Sequence, residues 1–203
     1  EVPNGNQILI DGGPNDAVLA KLGRAMPFWD RSLDLLILTH PHADHLDGLL
    51  ETLKRYDVAM VLESGAEHSI PEYQEWRELL AARRTPVVRA RQGQRIDAGK
   101  GVMLDMLWPA ADFSGRPLKN IHEAMVVSRL VYASTSVLFM GDAEKNAEAR
   151  LISTFRDSDF MILDSDILKV GHHGSKTSSS EEFLQAVSSE AAVISVGRKN
   201  RYG

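Results

Sequence analysis

The chain contains no cysteine. That absence excludes disulfide bridges, thiolate nucleophiles, iron–sulfur clusters and zinc sites with sulfur ligands. Any metal here must be held by imidazole and carboxylate groups. Long apolar runs are also missing. Stretches such as Leu33 to Leu38 break off after a few residues, far short of the ~20 that a membrane-spanning helix needs. Nor is there a surplus of positive charge. Lys and Arg number 23 against 28 Asp and Glu, the net charge is -5 and the pI is near 5.8. This excludes a protein that coats nucleic acid with its whole surface, though not one with a local basic groove. The opening Glu1-Val2-Pro3-Asn4-Gly5 has no Met, basic region or apolar core, so it does not read as a signal peptide. A strand pattern begins within a few residues of the start, and Asn200-Arg201-Tyr202-Gly203 closes without a polar tail. The expectation is a single domain, residues 1–203, excised from a longer protein.

What is present is ordinary globular composition, 43% hydrophobic and 25% charged, in a length suited to one substantial domain. Short apolar runs alternate with helical spacing, the pattern of an α/β domain. Strands are predicted at Gln7–Ile10, Leu33–Leu38, Val58–Leu62 and Val87–Ala90. Helices are predicted at Asp16–Met26, Leu46–Tyr56 and Pro71–Arg84. Leu46, Leu49, Leu50 and Leu53 fall on one face of the second helix. The middle is richer in strands: Val102–Leu107, then Met125–Tyr132 with Ser136–Met140 as a hairpin. A helix over Ala143–Ser153 follows, then strands at Phe160–Leu163 and Ile167–Val170, a helix over Ser180–Val187 and a strand at Ala192–Val196. Consecutive strands in the middle favour sheets packed face to face with helices outside over a doubly wound sheet.

The strongest chemical signal is Thr39-His40-Pro41-His42-Ala43-Asp44-His45, directly after an apolar run. It places four potential ligands within six residues. Neutral imidazole and carboxylate suit zinc, manganese or iron. An irregular turn lets such close neighbours splay toward two adjacent ions, where a helix or strand would divide them between faces.

His-x-His-x-Asp-His after a hydrophobic strand resembles the signature of the metallo-β-lactamase superfamily. Further motifs occur in the same order: Gly141-Asp142 after Val137 to Met140, His122 about twenty residues before it, and Val170-Gly171-His172-His173-Gly174-Ser175 after another strand. With Ile10-Asp11-Gly12-Gly13, Ala143-Glu144 and Ser195-Val196-Gly197 followed by Asn200-Arg201-Tyr202-Gly203, the set resembles the hydrolase-like domain of the ComEC family of competence proteins. Asn120-Ile121-His122-Glu123 departs from the Asn/Ser-rich stretch common there, which leaves Asn120 as the alternative to His122.

The resemblance implies an αββα sandwich, two mixed sheets packed face to face with helices outside, and two divalent ions, zinc or manganese. It implies one ion on His40, His42 and His122, a second on Asp44, His45 and His172, and Asp142 as the bridge. Two such ions acidify a shared water and clamp both oxygens of a displacement, which suits a phosphodiester. Asp44 could also steer the attacking water. Asp11 would take the second-nitrogen proton of a liganding His, with turn capping as the alternative. An extended backbone would let only one of His172 and His173 face metal. His172 is the expected ligand and His173 the substrate-side acid or phosphate contact. Ser175 and Lys176, with the amides opening the next helix, would cradle phosphate.

Other features are weaker. His68 reads as a solvated loop residue, with a place flanking the substrate as the alternative. Trp76 has core spacing, and Trp108 could edge a base-stacking surface. From Arg83 to Lys100 six basic residues face only Asp97, so this segment could track a phosphate backbone. The resemblance further implies DNA, single- or double-stranded, as substrate, and the rest of a membrane channel protein as the partner in the same chain. It places the domain on the extracytoplasmic face of the cell membrane, with no lipid contact of its own. A small-molecule hydrolase of phosphorylcholine esterase or lactonase type, and a non-catalytic DNA-guiding module, are the competing readings.

Overall fold

The computed structural model describes residues 1–116, 118, 120–156 and 162–197. Two compact units divide the chain, residues 1–90 with 112–124 and residues 91–111 with 125–203.

The first unit is built on parallel strands. β1 (Ile8–Ile10), β3 (Leu35–Leu38), β5 (Val61–Glu63) and β6 (Val87–Arg89) form one sheet in that order, every pair parallel. All four residues of β3 are buried, as expected of a central parallel strand. A second, two-stranded parallel ladder joins β2 (Ser32–Leu33) to β4 (Asp57–Val58). The strand expected at Val58–Leu62 is therefore two strands, interrupted at Ala59 and Met60. α1 (Ala17–Ala25), α2 (Ala43–Arg55) and α3 (Pro71–Arg83) connect them. The leucine stripe of α2, Leu46, Leu49, Leu50 and Leu53, packs with Leu36, Leu38, Val61 and Trp76 in one apolar cluster. Burial of each leucine contributes about 2 kcal/mol. α3 opens with Pro71 at its first turn and stops at Arg84, which adopts the left-handed conformation before Pro86.

The second unit carries a six-stranded mixed sheet in the order β12-β11-β10-β9-β8-β7. β7 (Arg95–Gly99), β8 (Val102–Trp108), β9 (Val127–Tyr132) and β10 (Thr135–Phe139) form an antiparallel meander. β11 (Ile167–Lys169) and β12 (Ala191–Val193) then add in parallel. α4 (Lys145–Phe155) and α5 (Glu181–Val187) supply Leu151, Ile152, Phe183 and Val187 to its core. β7 was not anticipated because Gln94, Arg95 and Asp97 hide its period. Of the strand expected at Phe160–Leu163, Phe160 and Met161 lie outside the described residues, and Ile162 and Leu163 are not in a strand. Residues 200–203, part of the resemblance, also lie outside the described residues. No helix among the described residues is long and apolar enough to cross a membrane.

Candidate metal centre

In both units the chemical groups sit just past the carboxyl ends of parallel strands, where α/β folds place their sites. In the first unit, Asp11 follows β1 and its amide donates to Ile37 O at 2.9 Å. Thr39 and His40 follow β3. Pro41 and His42 continue as irregular chain, but Ala43 already begins α2, so Asp44 and His45 lie in its first helical turn rather than in the expected loop.

The Asp11-Gly12-Gly13 turn is pressed onto α2. Gly12 N–H donates to His45 O at 2.8 Å, and Gly48 N–H donates to Gly13 O at 3.0 Å. A Cβ added at Gly48 would stand 2.1 Å from Gly12 O, and one at Gly12 would stand 2.2 Å from Leu49 N. Only two glycines allow this approach. It delivers the Asp11 carboxylate to three partners: the Thr39 amide (2.9 Å), the Thr39 hydroxyl (2.8 Å) and His45 Nδ1 (2.7 Å). His45 thus keeps its proton on Nδ1 and offers Nε2 as a lone-pair donor, the usual carboxylate–histidine arrangement behind a metal ligand.

His40, His42 and His122 converge. Each offers a ring nitrogen within 4.8 Å of the others, and His40 Nε2 lies 3.0 Å from His42 Nδ1. His40 is buried, and its other nitrogen is 3.1 Å from the Thr39 hydroxyl. His122 sits in a 3-10 turn, Ile121–Ala124, whose start is fixed by the Asn120 side chain accepting the His122 N–H at 3.0 Å. Of the two alternatives at this stretch, His122 is therefore the residue in the cluster and Asn120 its cap. Burial, with the neighbouring His122 next, holds the His42 pKa below the ordinary histidine value. Close imidazoles, with His42 disfavouring its protonated form, suit a shared cation. Asp44 is exposed, with Oδ2 3.9 Å from His45 Nε2. The first unit alone holds five nitrogen and oxygen donor residues, more than the four that one zinc ion usually takes.

In the second unit, β10 and β11 run side by side with Phe139 opposite Lys169. The loops after them therefore meet. His172 N–H donates to Gly141 O at 3.2 Å, Lys169 Nζ to the same oxygen at 3.3 Å, and a Cβ at Gly171 would stand 2.5 Å from Ala143 O. Asp142, at 2% exposure, is buried in this junction.

The histidine pair departs from expectation. Both His172 (φ 45°) and His173 (φ 53°) are left-handed, so the backbone is not extended and the two rings do not alternate across it. His173 Nε2 lies 3.4 Å from Asp142 Oδ2, and its Nδ1 lies 2.7 Å from Ser195 O. His172 Nδ1 instead faces Glu144 (3.3 Å) and the Thr177 hydroxyl (3.0 Å). The partner of Asp142 is the opposite member of the pair from the one expected.

The proposed phosphate cradle is altered too. The amides of Ser179 and Ser180 donate at 2.5 and 2.8 Å to Glu148, a carboxylate 1% exposed. Those helix-opening amides already hold an anion. Ser175 Oγ contacts the Thr177 hydroxyl at 3.1 Å, and Lys176 is exposed. Three of the six basic residues in the segment are likewise engaged locally: Arg89 pairs with Glu63, Arg95 with Asp105, and Arg83 donates to Lys54 O and Tyr56 O. Trp76 is buried with its Nε1–H on Glu63 at 2.9 Å, and Trp108 is in the second unit's core. Glu63, Glu144 and Glu148 have no role legible in the sequence, because an isolated Glu carries no spacing signal. His68 packs its ring at right angles to that of His42, centroids 5.6 Å apart.

Residues 6–193 match the beta-lactamase superfamily domain. ComE operon protein 3 of Bacillus subtilis (strain 168) is 32% identical over 175 residues, which are 85% of this chain and 21% of that protein. Competence protein ComA of Neisseria gonorrhoeae is 34% identical over 174 residues, again 85% of this chain and 21% of the relative. The chain thus spans about a fifth of the length of these curated relatives. Among solved structures, the metallo-beta-lactamase fold protein YhfI from Bacillus subtilis superposes with a TM-score of 0.56 at 18% identity, covering 95% of this chain and 77% of that one. The likeness shows a shared fold.

Proposed function

Because the chain belongs to the beta-lactamase superfamily domain family, we propose that it is a metal-dependent phosphodiesterase that cleaves DNA during competence-related DNA uptake. The observation that carries this reading is the convergence of the His40, His42 and His122 ring nitrogens within 4.8 Å of one another. The similarity to a competence protein supports the choice of DNA. The family match, continuous from residue 6 to 193, supports one functional domain.

Bound divalent ions, zinc or manganese, would supply Lewis acidity and a water acidified toward neutrality. The chain's own groups do the rest. His40, His42 and His122 would hold one ion, while Asp11 fixes the tautomer in which His45 Nε2 could be a ligand. Asp44, exposed beside His45, orients the attacking water and can also bind. Asp142 and His173 would serve as a ligand pair within the second unit. His172, polarised by Glu144 and Thr177, moves to the substrate side, with Ser175 and Lys176 as outer phosphate contacts. The domain would work beside a membrane channel formed by the rest of a longer chain, on the extracytoplasmic face.

The test is metal analysis paired with a nuclease assay on the wild type and Asp142→Asn. The wild type should cleave single- or double-stranded DNA with Mn²⁺ or Zn²⁺, and the variant should lose cleavage. A wild type that leaves DNA untouched would overturn the nuclease assignment. A variant that binds metal and cleaves normally would overturn the two-ion scheme.

A further inference from the structure

We infer that His68 is a substrate contact, donating its Nε2–H to a non-bridging oxygen of the phosphoryl group beside the His40–His42–His122 cluster. The inference rests on the phosphodiester reading above and names the residue that would grip the substrate within the first unit.

The argument begins at the end of β5. Glu63 is buried and anchored by Trp76 Nε1–H, by Arg77 at 3.3 Å and by Arg89. That carboxylate fixes the exit of the strand, and Tyr73, buried and close to Glu63, has its pKa pushed up to about 12. The loop that follows has little freedom. Gly65 has φ +84°, and a Cβ there would stand 2.5 Å from Ser114 Oγ. The Ser64 hydroxyl accepts the Ala66 N–H at 3.3 Å. Two residues past Ala66, His68 Nδ1 accepts the Ile70 N–H at 3.3 Å, just before α3.

That last bond decides the tautomer. A neutral imidazole accepting at Nδ1 carries its hydrogen on Nε2. His68 therefore presents a donor, and its Nε2 makes no hydrogen bond among the described residues. The ring is half-buried and stands edge to face against His42. A histidine held in one tautomer by a rigid loop, against a metal-ligand candidate and open on its donor side, is equipped to bind an anionic oxygen. A solvated loop residue would need neither the ring contact nor the fixed tautomer. A neutral donor also leaves the ligating nitrogens of the cluster uncontested.

The test uses inorganic phosphate as the probe, with its affinity for the metal-loaded chain measured by calorimetry for wild type, His68→Leu and His68→Gln. Loss of one hydrogen bond to a charged group should weaken phosphate binding by about tenfold in the Leu variant. Bound metal and thermal midpoint should match the wild type, and Gln, which places a donor near Nε2, should recover most of the affinity. Unchanged phosphate affinity in His68→Leu would overturn the inference. So would loss of an ion in that variant, because His68 would then be a ligand. A wild type that binds metal but no phosphate would instead overturn the phosphodiester reading beneath it.

Discussion

The two units assemble their donors by different means. In the first, four donors come from one six-residue segment, and a single turn, Asp11 to Gly13, holds that segment against α2 through backbone contact. In the second, the donors are spread over two loops, after β10 and after β11, and meet because those strands are parallel neighbours in register. The first arrangement is written in spacing. The second is written in topology and in left-handed backbone at His172 and His173, neither of which side-chain periodicity reports.

The comparison can be broken most forcefully at its backbone contacts. Gly48→Ala forces a Cβ against Gly12 O and should cost about 3 kcal/mol or more in denaturant unfolding, as overpacking against unyielding backbone does. Gly171→Ala meets one carbonyl, that of Ala143, and should cost about 2 kcal/mol. Equal and small effects would mean that neither loop is pinned as described.

Next comes Glu148, the second unit's counterpart of Asp11. Glu148→Ala leaves the Ser179 and Ser180 amides without their acceptor and should destabilise by about 2–3 kcal/mol. Glu148→Gln, keeping one acceptor oxygen, should cost less. Asp11→Ala should act differently, lowering metal affinity by roughly 10–100-fold while the second unit's hydrogen exchange stays unchanged. A Glu148 variant that alters only activity, or an Asp11 variant that alters only stability, would erase the distinction.

The smallest effect concerns acid. The Ser136 hydroxyl and amide, bonded to Asp166 at 2.8 and 2.6 Å, hold its pKa below the usual carboxylate value. A lowered folded pKa stabilises above the unfolded value near 3.9 and loses that contribution as pH falls through the folded value. Asp166→Asn should therefore flatten the acid limb of the stability curve without altering stability's slope near neutral pH. An unchanged acid limb would remove Asp166 from the account.

How much of this was legible beforehand follows from the same contrast. The leucine stripe of α2, the buried β3 and the β9–β10 hairpin were readable because periodicity reports burial. The His40–His45 run, His122 and Gly141-Asp142 stood out because histidines are few and the order of the motifs is specific. The helical placement of Asp44 and His45 was not, since Pro41 and a His-rich run look like loop until capping geometry is seen. The exchange of His172 for His173 beside Asp142 was hidden by an assumption of extended backbone. Glu148 was hidden because a single carboxylate on a helix looks solvated until two amides 31 and 32 residues away are found on it.

The central claim, that the first unit's three histidines form a metal site of their own, is tested most directly by counting ions. Calorimetric zinc titration with elemental analysis should give about two divalent ions per wild-type chain and about one in the His42→Ala/His122→Ala double variant, still folded by circular dichroism. A folded double variant that retains the wild-type count would contradict the claim.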